Sequence, residues 1–389
     1  LPYSLHVHRR SILLASPALI AAEAADPWPR LGRRALAPIL AALAADGPAL
    51  LRSWEVGRGE AFDRVHAETA YTYDNALAGL ALLAAGERTA AWRIAEALRL
   101  AQTQDRHWRD GRLRNAYAAG RQYPDAPASA RPPGWWDGRW FEDAYQVGSA
   151  AGPVAFAILL WTKLGDPPFR AAAEAAGAWC ATLRAERGFI GGTLGHEPSP
   201  TPLPWRSTEQ NLDLAIAFAR IGQREAAAHA EAFVRAMWDP RDGRFLSGLT
   251  PAGTPNRHSA LDANLWPLLA WPRAQQYRPA LGWVQREHAV GDGFDFDRDR
   301  DGIWLEGTAQ AALLLRRLDD TTAAARCAAA IARHMTQDGW VRAASIPALT
   351  TGLETGITPG QADFVYPDRW HLGATAWTVL AALDASPFD

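Results

Sequence analysis

Cysteine is scarce in this chain, lysine scarcer, and long apolar runs are missing. Two cysteines in 389 residues cannot build a disulfide framework. Cys180 and Cys327 lie in alanine-rich helical patterns and read as buried thiols. Lys163 is the only lysine, and the formal charge of −2 supplies no bulk field for holding nucleic acid or an anionic membrane. No segment is long and apolar enough to form a transmembrane helix. Gly-rich phosphate loops and dinucleotide fingerprints are absent, as is a G-x-S-x-G nucleophile elbow. No local His/Cys cluster supplies zinc ligands. Nucleotide chemistry, serine hydrolysis and zinc catalysis therefore have no motif to rest on, and no cofactor is expected.

What the chain does have is tryptophan, 18 residues of it, within a composition of 48% hydrophobic and 21% charged residues. That balance is typical of a folded globular protein. Tryptophan in such numbers fits sites that are dry on one side and wet on the other. At the start, His8-Arg9-Arg10-Ser11-Ile12-Leu13-Leu14 is a twin arginine followed by an apolar run, and small residues Ala22, Ala24 and Ala25 precede Asp26-Pro27. The arrangement resembles a twin-arginine export signal. Residues 1–25 are then a signal peptide, residues 26–389 a single domain, and the protein periplasmic or secreted. The plainer alternative is an amphipathic N-terminal helix.

Six segments carry apolar residues at helical spacing and open on an aromatic or polar cluster, often with an acid. They begin at Tyr71, Phe141, Ser207, Ser259, Ile303 and Arg369. Each becomes apolar nearly all round, as a helix buried on every side must be. Helices with one charged face follow five of them, for example from Thr89, Arg224 and Thr321. The sixth lacks a partner downstream, and the helix from Leu31 can supply it, which closes a ring. Asp110-Gly111-Arg112, Asp242-Gly243-Arg244 and Asp338-Gly339-Trp340 read as tight turns after outer helices, with short strand pairs. The expected fold is all-α: an (α/α)6 toroid of six inner and six outer helices with short strand pairs or turns in its rim loops.

Trp304-Leu305-Glu306-Gly307-Thr308-Ala309-Gln310 and His371-Leu372-Gly373-Ala374-Thr375-Ala376-Trp377 resemble inner-helix starts in the six-hairpin glycosidase superfamily, in its uncharacterised bacterial carbohydrate-active branch. The resemblance implies that the inner-helix N-termini line a cleft, that catalytic carboxylates lie there, and that the partner is a carbohydrate.

If the helices share one mouth, Asp74, Glu142, Asp143, Glu209, Asp262 and Glu306 converge. Glycoside hydrolysis needs two carboxyl groups, one to protonate the leaving oxygen and one as base or nucleophile. Glu306 after Trp304 and Glu209 after Trp205 are the first candidates; Asp74 near Tyr73 and Asp143 near Trp140 and Tyr145 come next. Against this stands the ordinary role of acids at helix starts, which cap N–H groups and complement the dipole. Ser207 with Gln210 reads as a capping box and Asp262 as dipole support. Aromatic sugar platforms are expected from Tyr73, Trp135, Trp136, Trp140, Tyr145, Trp205, Trp266, Trp304 and Trp370, with His371 and Asp262 as further contacts. Arg139, Arg206 and Arg369 precede inner helices, either to pair with the acids beside them or to receive an anionic sugar. Asp297, Asp299 and Asp301 form the first half of a calcium loop, but position twelve is Thr308 rather than Glu, which leaves a self-paired charged turn as the alternative. The competing functions are a polysaccharide lyase or sugar epimerase using Tyr73, Tyr145 or His371 as base, and a non-catalytic glycan-binding or polysaccharide-assembly protein.

Changing Arg9 and Arg10 together to Lys keeps the charge and removes the twin-arginine signature. The variant should accumulate in the cell as an uncleaved precursor, seen by fractionation and intact mass. Normal export of it would refute the signal.

Overall fold

The computed structural model describes residues 26–105, 108–122, 142–195, 200–354, 361–362 and 364–389. Within them lie fourteen α-helices: α1 (Trp28–Ala42), α2 (Ala61–His66), α3 (Thr72–Ala84), α4 (Arg88–Thr103), α5 (Ala144–Val147), α6 (Ala151–Leu164), α7 (Pro167–Thr182), α8 (Thr208–Arg220), α9 (Arg224–Ala236), α10 (Leu261–Ala270), α11 (Pro279–Glu287), α12 (Leu305–Arg317), α13 (Thr321–Arg333) and α14 (Leu372–Ala382). Helices α3, α6, α8, α10, α12 and α14 pack each on the next, and α14 packs back on α3. The inner ring is therefore closed. Around it run α4, α7, α9, α11 and α13, each packed on the inner helix before it, with α1 against α14. The first helix completes the outer layer, as the pattern from Leu31 predicts.

Sequence chemistry explains the two kinds of helix. In α14 every residue is buried, and in α6 nearly all are, because alanine, glycine and aliphatic residues occupy every face. Helix α1 buries Leu31, Ala35 and Ile39 at four-residue spacing and exposes Arg30 and Arg33, the signature of a helix with one dry side. The turn at Asp338-Gly339 abuts the same helix. Gly339 has φ +98°, and a Cβ there would sit 2.1 Å from the Arg34 carbonyl oxygen, so only glycine fits.

Short strands lead into the inner helices. Thr69–Tyr71 pairs antiparallel with Ala116–Ala118, Ala70 opposite Tyr117, and runs into α3. Ser149–Ala150 pairs with Gly192–Leu194, which also pairs with Thr201–Leu203, and runs into α6. Arg206–Ser207 pairs with Gly248–Leu249 and runs into α8. At all six heads the first helical N–H donates to a rim carbonyl: Thr72 to Asn115 (2.8 Å), Ala151 to Gly191 (3.0 Å), Thr208 to Ser247, Leu261 to Phe296, Leu305 to Ala343 and Leu372 to Ser53 (each 2.9 Å).

One helix start differs from expectation. The segment from Phe141 does not enter the second inner helix directly. Asp143 caps the four-residue α5 through the Gln146 N–H, Gly148 ends it, and the strand 149–150 intervenes before α6. Neither Glu142 nor Asp143 therefore stands at an inner-helix head. Glu142 is buried against Arg114 at 2.8 Å, and Arg114 also binds Asp105 at 2.6 Å.

The far end of the ring is stopped. Phe388 packs on Phe156 and Trp266, with ring centroids at 6.2 and 5.4 Å. Arg317 pairs with Asp389 at 2.6 Å, and Arg220 and Lys163 reach the Asp389 carbonyl. These cations come from α12, α8 and α6, where basic residues also complement the C-terminal dipole.

Ile39 is fully buried on the helix that closes the outer layer. Ile39→Ala should lower the unfolding free energy by about 2–5 kcal/mol, measured by urea denaturation. A negligible change would mean that α1 is not part of the cooperative ring.

Candidate active site

The fourth residue of five inner helices is Asn or Thr, and each accepts a rim backbone N–H: Asn75 from Leu51 (2.7 Å), Asn211 from Phe189 (2.8 Å), Asn264 from Phe245 (2.8 Å), Thr308 from Phe294 (3.0 Å) and Thr375 from Val341 (3.0 Å). This bond fixes the rotation of each helix. At about 100° per residue, the second residue then points to nearly the opposite side, toward the axis. The second residues are Tyr73, Gly152, Glu209, Asp262, Glu306 and Gly373. Three carboxylates thus converge, joined by Asp74 from the third position of α3.

Below them, one turn on, lie Phe156, Asp213, Trp266, Gln310 and Trp377. Phe156 and Trp266 pack at 5.7 Å, Trp266 and Trp377 at 6.1 Å. Phe156, Trp266 and Trp377 are essentially sealed from solvent and form a floor. Trp266 is thus a floor residue rather than a sugar platform at the mouth.

A hydrogen-bond chain crosses the cleft. Trp377 Nε1 donates to the Tyr73 hydroxyl at 2.9 Å, and that hydroxyl donates to Glu306 Oε1 at 2.8 Å. The other oxygen, Oε2, lies 3.5 Å from His371 Nδ1, and His371 Nε2 lies 3.2 Å from Asp74 Oδ2. His371 also caps α14, Nδ1 accepting the Ala374 N–H at 3.3 Å. With Nδ1 accepting the Ala374 N–H, Nε2–H points to Asp74. Gly373 is required here, because a Cβ would lie 2.7 Å from Glu306 Oε2 and 3.0 Å from Asp74 Oδ1. Trp54 stacks on the imidazole at 4.0 Å.

Burial and mutual repulsion raise Glu306, Glu209, Asp262 and Asp213. Glu306 is 2% exposed; desolvation pushes it up to about 7, with Asp74 and Asp262 adding to the rise and His371 and Tyr73 opposing it. Glu209 is held well above the carboxylate range by desolvation and by Asp262, Asp213 and Glu306. Its neighbour Asp262 is raised by burial to about 6. Asp213 is raised by desolvation and by Asp262. His371 is raised because Asp74 and Glu306 together outweigh its burial. Both oxygens of Asp213, both polar atoms of Gln310 and Glu306 Oε2 are buried without a hydrogen-bond partner among the described residues. Buried polar groups are normally paired, so this concentration marks a place for a polar ligand.

The remaining expected residues fall in several places. Tyr145 is half-buried and feels the charges of Asp143, Glu209 and Asp74. Trp205 is half-buried over Gly191. Ser207 caps α8, but Gln210 does not complete the box; its side chain accepts the Gly152 N–H at 3.4 Å. Trp304 is 1% exposed and packs on Tyr366 and Phe296. Trp370 faces away from the cleft, stacked on Trp340 at 4.5 Å in a cavity of about 450 Å³ lined also by Arg52, Glu55 and Arg342. Arg369 cannot receive an anionic sugar: it is 1% exposed and committed to Asp63 and Glu60, each at 2.7 Å. Arg206 is half-buried, with Nε unpartnered among the described residues. Trp135, Trp136, Arg139 and Trp140 lie outside the described residues, as does the signal segment. Asp301 turns to the Thr350 N–H at 3.0 Å, so Asp297, Asp299 and Asp301 do not gather as the calcium motif implies.

Asp213, Gln310, Trp54 and Tyr366 were not anticipated. Asp213 and Gln310 follow Glu209 and Glu306 by four residues, the spacing that puts side chains on one helix face. Tyr366 feels the charges of Glu306, Asp262, Glu209 and Asp74, and no local pattern announces it.

No family model and no curated protein matches the chain. Solved structures do. A glycosidase variant in complex with glucose is 14% identical over 95% of this chain and 98% of its own, with TM-score 0.61. A GH63 mannosylglycerate hydrolase from Thermus thermophilus, also with glucose, is 16% identical over 91% and 99%, TM-score 0.54. A D-mannose isomerase is 10% identical over 92% and 96%, TM-score 0.61. The fold is the (α/α)6 toroid of these enzymes. In this toroid the mouth carries four clustered acids and a histidine.

A carboxyl group raised on folding stabilises the fold below its unfolded value and loses that contribution as pH rises through the folded one. For Glu306 the window runs from 4.5 to about 7. Half-buried His66 and buried His288, lowered to about 4, give an opposing slope in wild type and variant alike. The Tm of Glu306→Gln relative to wild type should therefore rise steadily across that window. A constant difference would show that Glu306 keeps an ordinary carboxylate.

Proposed function

We propose that this protein is an exported glycoside hydrolase that cleaves an oligo- or polysaccharide with two carboxyl groups at the toroid mouth. The observation that carries the reading is the convergence of Glu306 and Glu209 in one cleft, each raised above the usual carboxylate range, with Glu209 sensing the charge of Glu306. The toroid shared with glycosidases, two of them solved with glucose, supports the substrate class.

The two acids differ in a way that assigns roles. Glu209 is held well above the ordinary carboxylate range by desolvation and by Asp262, Asp213 and Glu306, and it is half-buried; it is the group that protonates the departing glycosidic oxygen. Glu306 titrates near 7 and receives the Tyr73 hydroxyl; once ionised it takes a proton from water as that water attacks the anomeric carbon. His371, backed by Asp74, stands ready beside Oε2 to carry that proton onward. Such division of labour follows when environments push two carboxyls apart. Tyr366 and Tyr145 supply aromatic walls suited to the apolar face of a pyranose.

One observation favours a second reading. The Asp74–His371 pair is a proton-transfer device in its own right, and a D-mannose isomerase shares the toroid. An isomerase or epimerase would exchange a sugar C–H proton with solvent without cleaving a glycosidic bond.

Glu306→Gln keeps shape and removes the titrating proton. It should lose glycan cleavage by roughly 10²–10⁴-fold while unfolding as cooperatively as wild type. Release of reducing ends, followed by NMR in D2O, separates the readings: deuterium at a sugar carbon without new reducing ends would move the assignment to isomerisation. If Glu306 only complements the helix dipole, turnover survives and stability falls by about 1 kcal/mol.

A further inference from the structure

We propose that Asp295, Asp297 and Asp299 bind a calcium ion that ties their loop to the rim segment carrying Tyr366. One oxygen from each of the three carboxylates lies within 4.8 Å of the others. Oxygens on opposite sides of a calcium ion, at about 2.4 Å each, are about 4.8 Å apart, so one ion can touch all three.

Asp295 is the decisive residue, and it stands two positions ahead of the D-x-D-x-D-G motif. It is fully buried. Its Oδ1 accepts the Phe296 N–H at 2.6 Å, while Oδ2 meets no donor among the described residues. The neighbour it faces is another acceptor, the Asp299 carboxylate. Asp297 and Asp299 each spend Oδ1 on a backbone N–H, of Asp299 at 2.8 Å and of Asp301 at 3.1 Å. Asp297 also faces the Asp299 carboxylate, another acceptor, and the Asp299 Oδ2 accepts a neutral hydroxyl, from Thr350 at 2.6 Å. Arg298, within the loop, turns away to Glu287 at 3.0 Å. Carboxylates at this spacing must hold a proton between them or share a cation. A donor set made only of oxygen selects a hard cation, and a set drawn from a surface loop tolerates the irregular shell of calcium better than the strict octahedron of magnesium.

The consequence reaches the cleft. Thr350 bonds both Asp299 and Asp301, and Leu349–Thr350 pairs with Val365–Tyr366, Leu349 opposite Tyr366. An ion in the loop therefore steadies the strand that presents Tyr366 to the acids.

The test is calorimetric titration of the chelator-treated full chain with calcium chloride, alongside thermal unfolding. One ion should bind per chain and raise Tm by several degrees, and magnesium should bind at least tenfold more weakly. Asp295→Asn and Asp297→Asn should each weaken calcium at least tenfold, whereas Glu306→Gln should bind as wild type does, whatever its activity. If Asp295→Asn does not fold, Asp297→Asn carries the comparison. No calcium heat or Tm shift at millimolar calcium, unchanged affinity in both Asp variants, or equal affinity for magnesium would each overturn the proposal.

Discussion

The bond between a side chain at the fourth position of an inner helix and a rim backbone N–H governs this structure. Five helices use it, through Asn75, Asn211, Asn264, Thr308 and Thr375. It satisfies an otherwise buried amide and sets the angle at which each helix enters the ring. Once that angle is set, the second residue of each helix faces the axis, and the identity of that residue becomes the chemistry of the mouth. In α6 the fourth residue is Val154, and the polar contact moves outward: Asn115 accepts the Ala150 N–H at 2.8 Å. The second residue there is Gly152, close to Gln210 and Asp213. The helix without the pin is also one that brings no acid.

Crowding acids into a dry space opposes folding, and the molecule offsets this by withholding charge. Glu209, Asp213, Asp262 and Glu306 are all raised, so protons replace repulsion over much of the ordinary pH range. Tyr73, Trp377 and His371 then fix where the remaining protons sit. The cluster is unhelpful to stability and useful to acid–base chemistry, the usual trade at perturbed carboxyls.

Much of this was legible in the residues. Apolar periodicity marked both helix layers, and the unpaired last inner helix demanded α1. The acids at helix heads were visible as Asp74, Glu209, Asp262 and Glu306, because position two or three of a helix is a fixed address. Glu142 and Asp143 misled, since an acid, an aromatic and an apolar run also describe a one-turn helix followed by Gly148 and a strand. The Asn and Thr pins went unread because a single polar residue in a buried helix looks like tolerance rather than function until its rim partner is known. Arg369 could be placed only by seeing that Asp63 and Glu60, some three hundred residues earlier in the chain, close on it. Tyr366 depends on strand pairing with Leu349 across a loop, which local pattern does not encode.

A ring of helices is by default a tube, open at both ends. Here the aromatic layer of Phe156, Trp266 and Trp377, backed by Phe388 and by Lys163, Arg220 and Arg317 around Asp389, turns the tube into a cup. Traffic is then one-way in space: a molecule leaving the acids must retrace the path by which it came, past the rim strands and Tyr366. Whatever fills the mouth also blocks the exit, so occupancy of the rim and release from the acids are linked by geometry alone.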